Sequence, residues 1–375
     1  MKTYQLPLFA LLLLFAPQLA AQDVDVLIVE EEEEEESSFQ LSGYVDAYFQ
    51  NVFSDPDSDD TDTPLGFPTS FTPETRGFSV GNVSLLAEKS LGKVAFVGQV
   101  GFGPRANEAN GDFPNLQQLY VTYSPSDAVT FTLGQFGTFV GYEVIDAPAN
   151  MNYSTSYMFS YGPFFHTGLK ADFALSEGFG AMLGIFNNTD SRFNDPGYYY
   201  GAQLSAETGG LAAYLNFLYG TDAKDIVNDE DATTFQIDLT ATLEASDALM
   251  FGINATNKST QNFIQDGDVG SSDGFTGVAL YSTIGLSETF DISLRGEYFQ
   301  EHVPDGIDLD GRSVTALTAT GNFTIGDLRI MPEFRLDLSG DFATTYQFDD
   351  QIIDFGGGDE DDSVASFILA AIYSF

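Results

Sequence analysis

The sequence predicts an all-β protein: a transmembrane, up-and-down antiparallel β-barrel of about 16 strands. Three observations carry this reading. Apolar and polar residues alternate with a period of two along most of the chain. The links between alternating segments are by turns short and long. No internal run of about 20 apolar residues exists to make a membrane helix, although 43% of the 375 residues are hydrophobic.

Residues 1–21 read as a secretory signal peptide. Lys2 supplies a small positive region, residues 6–15 are apolar apart from Pro7, and Leu19, Ala20 and Ala21 offer a cleavage site before Gln22. Residues 22–38 form an acidic linker expected in the periplasm. Its seven consecutive glutamates at 30–36 repel one another and keep the segment extended. The period of two then begins and continues through 39–375. Phe39, Leu41, Val45, Ala47 and Phe49 share one face, while Gln40, Ser42, Tyr44, Asp46 and Gln50 share the other.

The candidate strands are 39–53, 77–89, 93–103, 115–124, 128–136, 165–175, 179–187, 199–207, 211–219, 233–244, 248–257, 274–286, 290–300, 312–323, 328–338 and 364–375. In 233–244, Phe235, Ile237, Leu239, Ala241 and Leu243 would meet lipid, with Gln236, Asp238, Thr240 and Thr242 facing water inside. The segment 328–338 sets Ile330, Phe334 and Leu336 against Arg329, Glu333, Arg335 and Asp337 in the same way.

Seven links are tight turns rich in Gly, Ser, Asp and Pro: 90–92, 125–127, 176–178, 208–210, 245–247, 287–289 and 324–327. The other eight are long. In an up-and-down sheet alternate links lie at opposite ends, so all the tight turns fall at one end. Outer-membrane barrels show this asymmetry, with short periplasmic turns and long extracellular loops. Lipid satisfies no backbone hydrogen bonds, so such a sheet must close on itself. Phe367, Leu369, Ala371, Tyr373 and Phe375 alternate up to an aromatic last residue. This resembles the terminal signal read by the outer-membrane assembly machinery, with Tyr373 and Phe375 as its expected carriers.

Composition excludes several functions. Lys and Arg total 13 against 56 Asp and Glu, a net charge of −43, which argues against nucleic-acid binding. Without Cys there is no disulfide framework or thiolate metal site. His166 and His302 are the only histidines; the first is expected to be structural and the second solvated. No catalytic constellation and no cofactor site stand out. Asp55, Asp57 and Asp59 begin like a calcium loop, but Asp60 takes the place of its Gly and Gly66 that of its closing Glu. Weak cation condensation is expected there and at Asp359, Glu360, Asp361 and Asp362. Gly103, Pro104 and the glycines 356–358 read as loop punctuation, because no helix pattern follows them.

Residues 134–173 read GQFGTFVGYEVIDAPANMNYSTSYMFSYGPFFHTGLKADF. The stretch resembles the signature region of the second β-barrel porin family of outer-membrane proteins. Its opening GQF and GYE, its Asn-Tyr-Ser segment and the PFFHTG return to a strand carry the likeness. The resemblance implies passive diffusion of ions and small hydrophilic solutes through a water-filled barrel in the outer membrane, and by analogy a homotrimer. The alternative from another class is a non-conducting barrel, an adhesin or docking protein that works through its acidic loops.

The eight long links hold 32 acidic residues and 5 basic ones, Arg76, Arg105, Arg192, Lys224 and Lys258. Negative charge around an aqueous opening concentrates cations, so a cation preference is expected. The link 137–164 differs from the rest. It has two charges, Glu143 and Asp146, among many apolar and aromatic residues. Folding inward would remove that surface from water, at about 25 cal/mol per Å². This link is therefore expected to line a constriction, with Glu143 and Asp146 as its acids. Lys170, Arg295 and Arg335, from polar strand faces, would be its bases.

Overall fold

Alternation of apolar and polar residues leaves each strand with one greasy and one wet face, and sixteen such strands close into a single antiparallel barrel. The computed structural model describes residues 39–53, 69–72, 76–111, 113–193, 197–221, 233–261, 263–265, 268–270, 273–302, 313–338, 345–348, 351–354 and 363–375. The predicted signal peptide and linker lie outside the described residues, as do the acidic clusters at 55–62 and 359–362 and the glycines 356–358.

The first half of the wall is β1 (Phe39–Val52), β2 (Arg76–Leu91), β3 (Val94–Phe102), β4 (Leu116–Ser126), β5 (Val129–Gly137), β6 (Phe165–Ser176), β7 (Phe179–Phe186) and β8 (Tyr199–Thr208). The second half is β9 (Leu211–Thr221), β10 (Thr233–Ser246), β11 (Leu249–Gln261), β14 (Asp273–Ser287), β15 (Phe290–His302), β16 (Ser313–Ile325), β17 (Leu328–Leu338) and β20 (Ser363–Ser374). Two small sheets stand apart from the wall, β12 (Phe263–Gln265) with β13 (Asp268–Gly270), and β18 (Thr345–Phe348) with β19 (Gln351–Asp354). Among the described residues no helix is long and apolar enough to cross a membrane.

Closure joins β20 to β1, from Tyr44 opposite Ser374 to Val52 opposite Ser366. Gly43 and Phe375 complete it by exchanging two main-chain hydrogen bonds of 2.9 Å. All seven tight links are two-residue turns, the tightest antiparallel connection. Gly92 and Gly326 occupy left-handed positions in them, at φ 56° and 59°. The predicted strands agree with the observed ones to within four residues at every end.

Burial follows the alternation in inverted order. In β10, Thr234, Gln236, Asp238 and Thr240 are buried, while Phe235, Leu239 and Leu243 are exposed. A polar interior and an apolar exterior suit a wall whose outside meets hydrocarbon. Leu133 and Phe334, for example, have 63% and 60% of their surface exposed on the outside.

One expectation is corrected. Gly103 and Pro104 do more than punctuate a loop: a seven-residue helix, α1 (Pro104–Asn110), begins there. Pro104 suits the first turn, where its missing N–H is not needed. A helix this short does not persist alone. Tertiary contact holds it, with Ala106 and Ala109 buried and a Cβ added at Gly101 only 3.0 Å from Ala106. Sequence periodicity carries no such information.

Candidate functional site

The link 137–164 turns into the lumen instead of projecting from the barrel. It contains a 3-10 turn (Ala147–Ala149) and a short helix, α2 (Tyr157–Tyr161). Ser156 caps α2 by accepting a 3.1 Å hydrogen bond from the Phe159 N–H. The loop's large side chains rest on bare patches of the inner wall. Phe139 lies over Gly201, Tyr142 over Gly252 and Met158 over Gly277, and a Cβ at any of these glycines would collide with the side chain above it. Tyr142 also stacks on Tyr281, ring centroids 4.4 Å apart.

Charged groups on the strands hold the loop by its main chain. The Glu333 carboxylate accepts from the N–H groups of Tyr153 (2.7 Å) and Ser154 (3.0 Å). Glu297 accepts from the next pair, Tyr157 and Met158, both at 2.9 Å. Asp238 accepts from Gly141 at 2.9 Å. Carbonyls are taken by arginines: Arg295 donates to Ser154 O (2.7 Å), Arg335 to Thr155 O (2.7 Å) and Arg329 to Pro148 O (2.9 Å). Backbone groups removed from water need partners, and bonds to ionised partners are about twice as strong as neutral ones.

Of the five residues predicted at a constriction, the structure brings two together. Arg295 and Glu143 form an ion pair at 2.5 Å, with only 2% and 6% of their surface exposed, and Glu143 also accepts from Ser156 N–H at 2.7 Å. Arg335 pairs with Asp337 on its own strand at 2.9 Å and is equally sealed. Lys170 pairs with Asp172 on β6 at 3.1 Å. Asp146 stands at the β3–β4 wall, accepting from Gln99 and Gln117 at 3.0 Å. Burial raises the Asp146 carboxyl above its ordinary range, against the opposing pull of those two amides and of Arg105.

Sequence reasoning missed Glu297, Glu333, Asp238 and Arg329 as loop anchors, since alternation placed them facing inward without naming what they meet. It also counted Arg105 and Arg192 as charges of the mouth, whereas both turn inward. Arg105 is fully buried over the rings of Phe71 and Tyr153 and donates to Ile145 O at 3.2 Å. Arg192 donates to Gln135 Oε1 at 2.7 Å and Leu116 O at 2.8 Å. His166 is fully buried among Phe136, Phe139 and Phe186, with Nε2 3.0 Å from the Thr138 hydroxyl.

Residues 38–375 match the sequence profile of the family described as "Putative beta-barrel porin-2, OmpL-like". Solved structures of similar fold include an anion-selective porin from Comamonas acidovorans, with 14% identity and a TM-score of 0.60 over 91% of this chain and 100% of that one. The outer membrane channel DcaP of Acinetobacter baumannii gives 13% identity and 0.59 over 93% and 100%. A trimer form of OmpT, an outer membrane protein of Vibrio cholerae, gives 13% identity and 0.57 over 90% and 99%. These likenesses are of fold. No curated protein matches in sequence.

Proposed function

Because the chain belongs to the beta-barrel porin-2, OmpL-like family of outer-membrane barrels, we propose that it is a porin through which ions and small hydrophilic solutes diffuse passively. The observation that carries this reading is the lumen: a polar inner wall narrowed, through its own charged groups, by the inward link 137–164. Passage needs only water, a constriction and a field of fixed charge, so no catalytic group is required of the chain.

The same reading includes a cation preference. The long links carry 32 acidic residues and 5 basic ones; Glu143, Asp146 and Asp190 among the acids and Arg105 and Arg192 among the cations are engaged inside the barrel, which leaves a large acid excess. The trimer form of a neighbouring fold supports a homotrimer. The remaining parts are a signal peptide at 1–21, a periplasmic linker at 22–38 and recognition of Tyr373 and Phe375 by the assembly machinery. The test is single-channel recording from purified, folded protein in planar bilayers. Discrete conductance steps with a cation-favouring reversal potential are expected. Silent bilayers would refute the channel, and an anion-favouring potential the preference.

A further inference from the structure

Inward-facing side chains are not covered evenly around the barrel. On β1, β10, β15, β16, β17 and β20 they are sealed, as at Gln50, Asp238, Glu297, Thr320, Asp337 and Ile368. On β4, β6, β7 and β8 the cover is broken: Tyr120, Lys170, Gly184 and Gln203 keep part of their surface open, between sealed neighbours such as Thr122, His166, Asp172 and Met182. Topology explains the difference. The loop is tied by its main chain chiefly to β15 and β17, and in the ring of sixteen strands the wall opposite these is β5 to β7. The loop residues Val144, Asp146 and Pro148 likewise stay half-buried. The space left for solute is therefore off-centre, against the first half of the wall.

That wall is poor in charge. Strands β3 to β9 contain three charged residues, Lys170, Asp172 and Glu207. Lys170 lies at mid-strand between Thr132 on β5 and Gly184 on β7, where the Phe186 ring leans over the glycine. Its ammonium stands 3.1 Å from Asp172 and 5.5 Å from the Phe136 ring, with 16% of the side chain still exposed.

We infer that the Lys170–Asp172 pair is a charge site inside the passage that tunes ion selectivity, in addition to the preference set by the acids of the long links. Permeating small ions meet it through the part-open Lys170, whereas Glu143, Arg295 and Arg335 fix the loop and so set width. This inference rests on the channel reading. A structural ion pair buried in the wall would give neither of the responses that follow.

The test combines permeation and access in the folded protein. Reversal potentials in KCl gradients should show the potassium-to-chloride permeability ratio rising about sevenfold in Lys170→Met and falling about sevenfold in Asp172→Asn. One fixed charge about 7 Å from an ion in a high-dielectric passage changes the passage of each ion about threefold, in opposite directions for potassium and chloride. The chain has no Cys, so a single introduced thiol reports access. Lys170→Cys should react with a trimethylammonium-bearing methanethiosulfonate and Ser366→Cys, at a sealed inward position (2% exposed), should not. A conducting protein whose ratio ignores both charge variants, or an unreactive Lys170→Cys, overturns the inference and leaves the channel standing. A wild-type protein that does not conduct overturns the channel reading and the selectivity role with it.

Discussion

If Glu297 and Glu333 hold the loop, removing them should release it. Each carboxylate takes two consecutive N–H groups, at 2.9 and 2.9 Å for Glu297 and 2.7 and 3.0 Å for Glu333. Hydrogen bonds to charged groups contribute about 1.5–3 kcal/mol each. Water entering the space vacated in Glu297→Ala would restore part of this, leaving a net loss of about 2–3 kcal/mol per site. A loss of that size multiplies the population of released loop by about 30–150. The readouts are single-channel conductance and chymotrypsin, because the loop has no Lys or Arg but offers Tyr153, Tyr157 and Phe159. Glu297→Ala should conduct more, with noisier open levels, and the double variant with Glu333→Ala should also be cut within the loop while the barrel stays folded. A folded double variant with wild-type conductance and full resistance to chymotrypsin would refute the anchoring.

Three further outcomes follow from the same geometry. Gly277→Val would drive a side chain into Met158, so it should raise conductance and chymotrypsin sensitivity without loss of folding; unchanged behaviour would mean the glycine is not a seat for the loop. Deleting Phe375 removes both of its hydrogen bonds to Gly43 and should reduce the heat-modifiable folded form in outer membranes; normal folding would remove the assembly role. Asp190, in the link after β7, accepts from Phe164 and Phe165 N–H at 2.7 and 2.9 Å, and burial pushes its carboxyl from 3.8 up to about 6. The folded chain therefore binds the extra proton between about pH 4 and 6, and the urea midpoint should fall as pH rises through that window and level off above it. Asp190→Asn should make that slope shallower, and an identical slope in the variant would clear Asp190 of any share in it.

Most of the barrel was legible because its causes are local. A period of two and turn residues at two-residue links determine strands and their ends, and Phe235 faced lipid in both readings for that reason. The inward fold of 137–164 was legible from a loop too apolar to lie in water. Its seats were not. Gly201, Gly252 and Gly277 look like weak strand residues until the side chains above them are known. Glu297 and Glu333 were seen as inward and polar, which alternation can tell, while their partners lie 140 and 180 residues away in the chain. Helix α1 escaped because packing against the wall, and no repeat in its seven residues, makes it form.

The acid excess thus divides into two populations with different work. A loop crossing a wet lumen cannot bury itself in a continuous apolar core, since one side must stay open to solute. Its apolar side chains can sit on glycines, but its main-chain N–H groups, once turned from water, still need acceptors. A carboxylate meets that need well, because its two oxygens serve two successive N–H groups, as at Glu297 and Glu333. The cost of burying such a charge falls when an opposite charge stands beside it, and Arg295 and Arg335 stand among these acids. On the proposed reading, the acids of the long links other than those holding the loop set a field at the mouth. The two populations should therefore separate by experiment. Neutralising outer acids such as Asp359 and Asp361 should weaken cation preference and its salt dependence without exposing the loop to chymotrypsin. Neutralising Glu297 or Glu333 should free the loop first. A mouth variant that loosened the loop would show that the division is false.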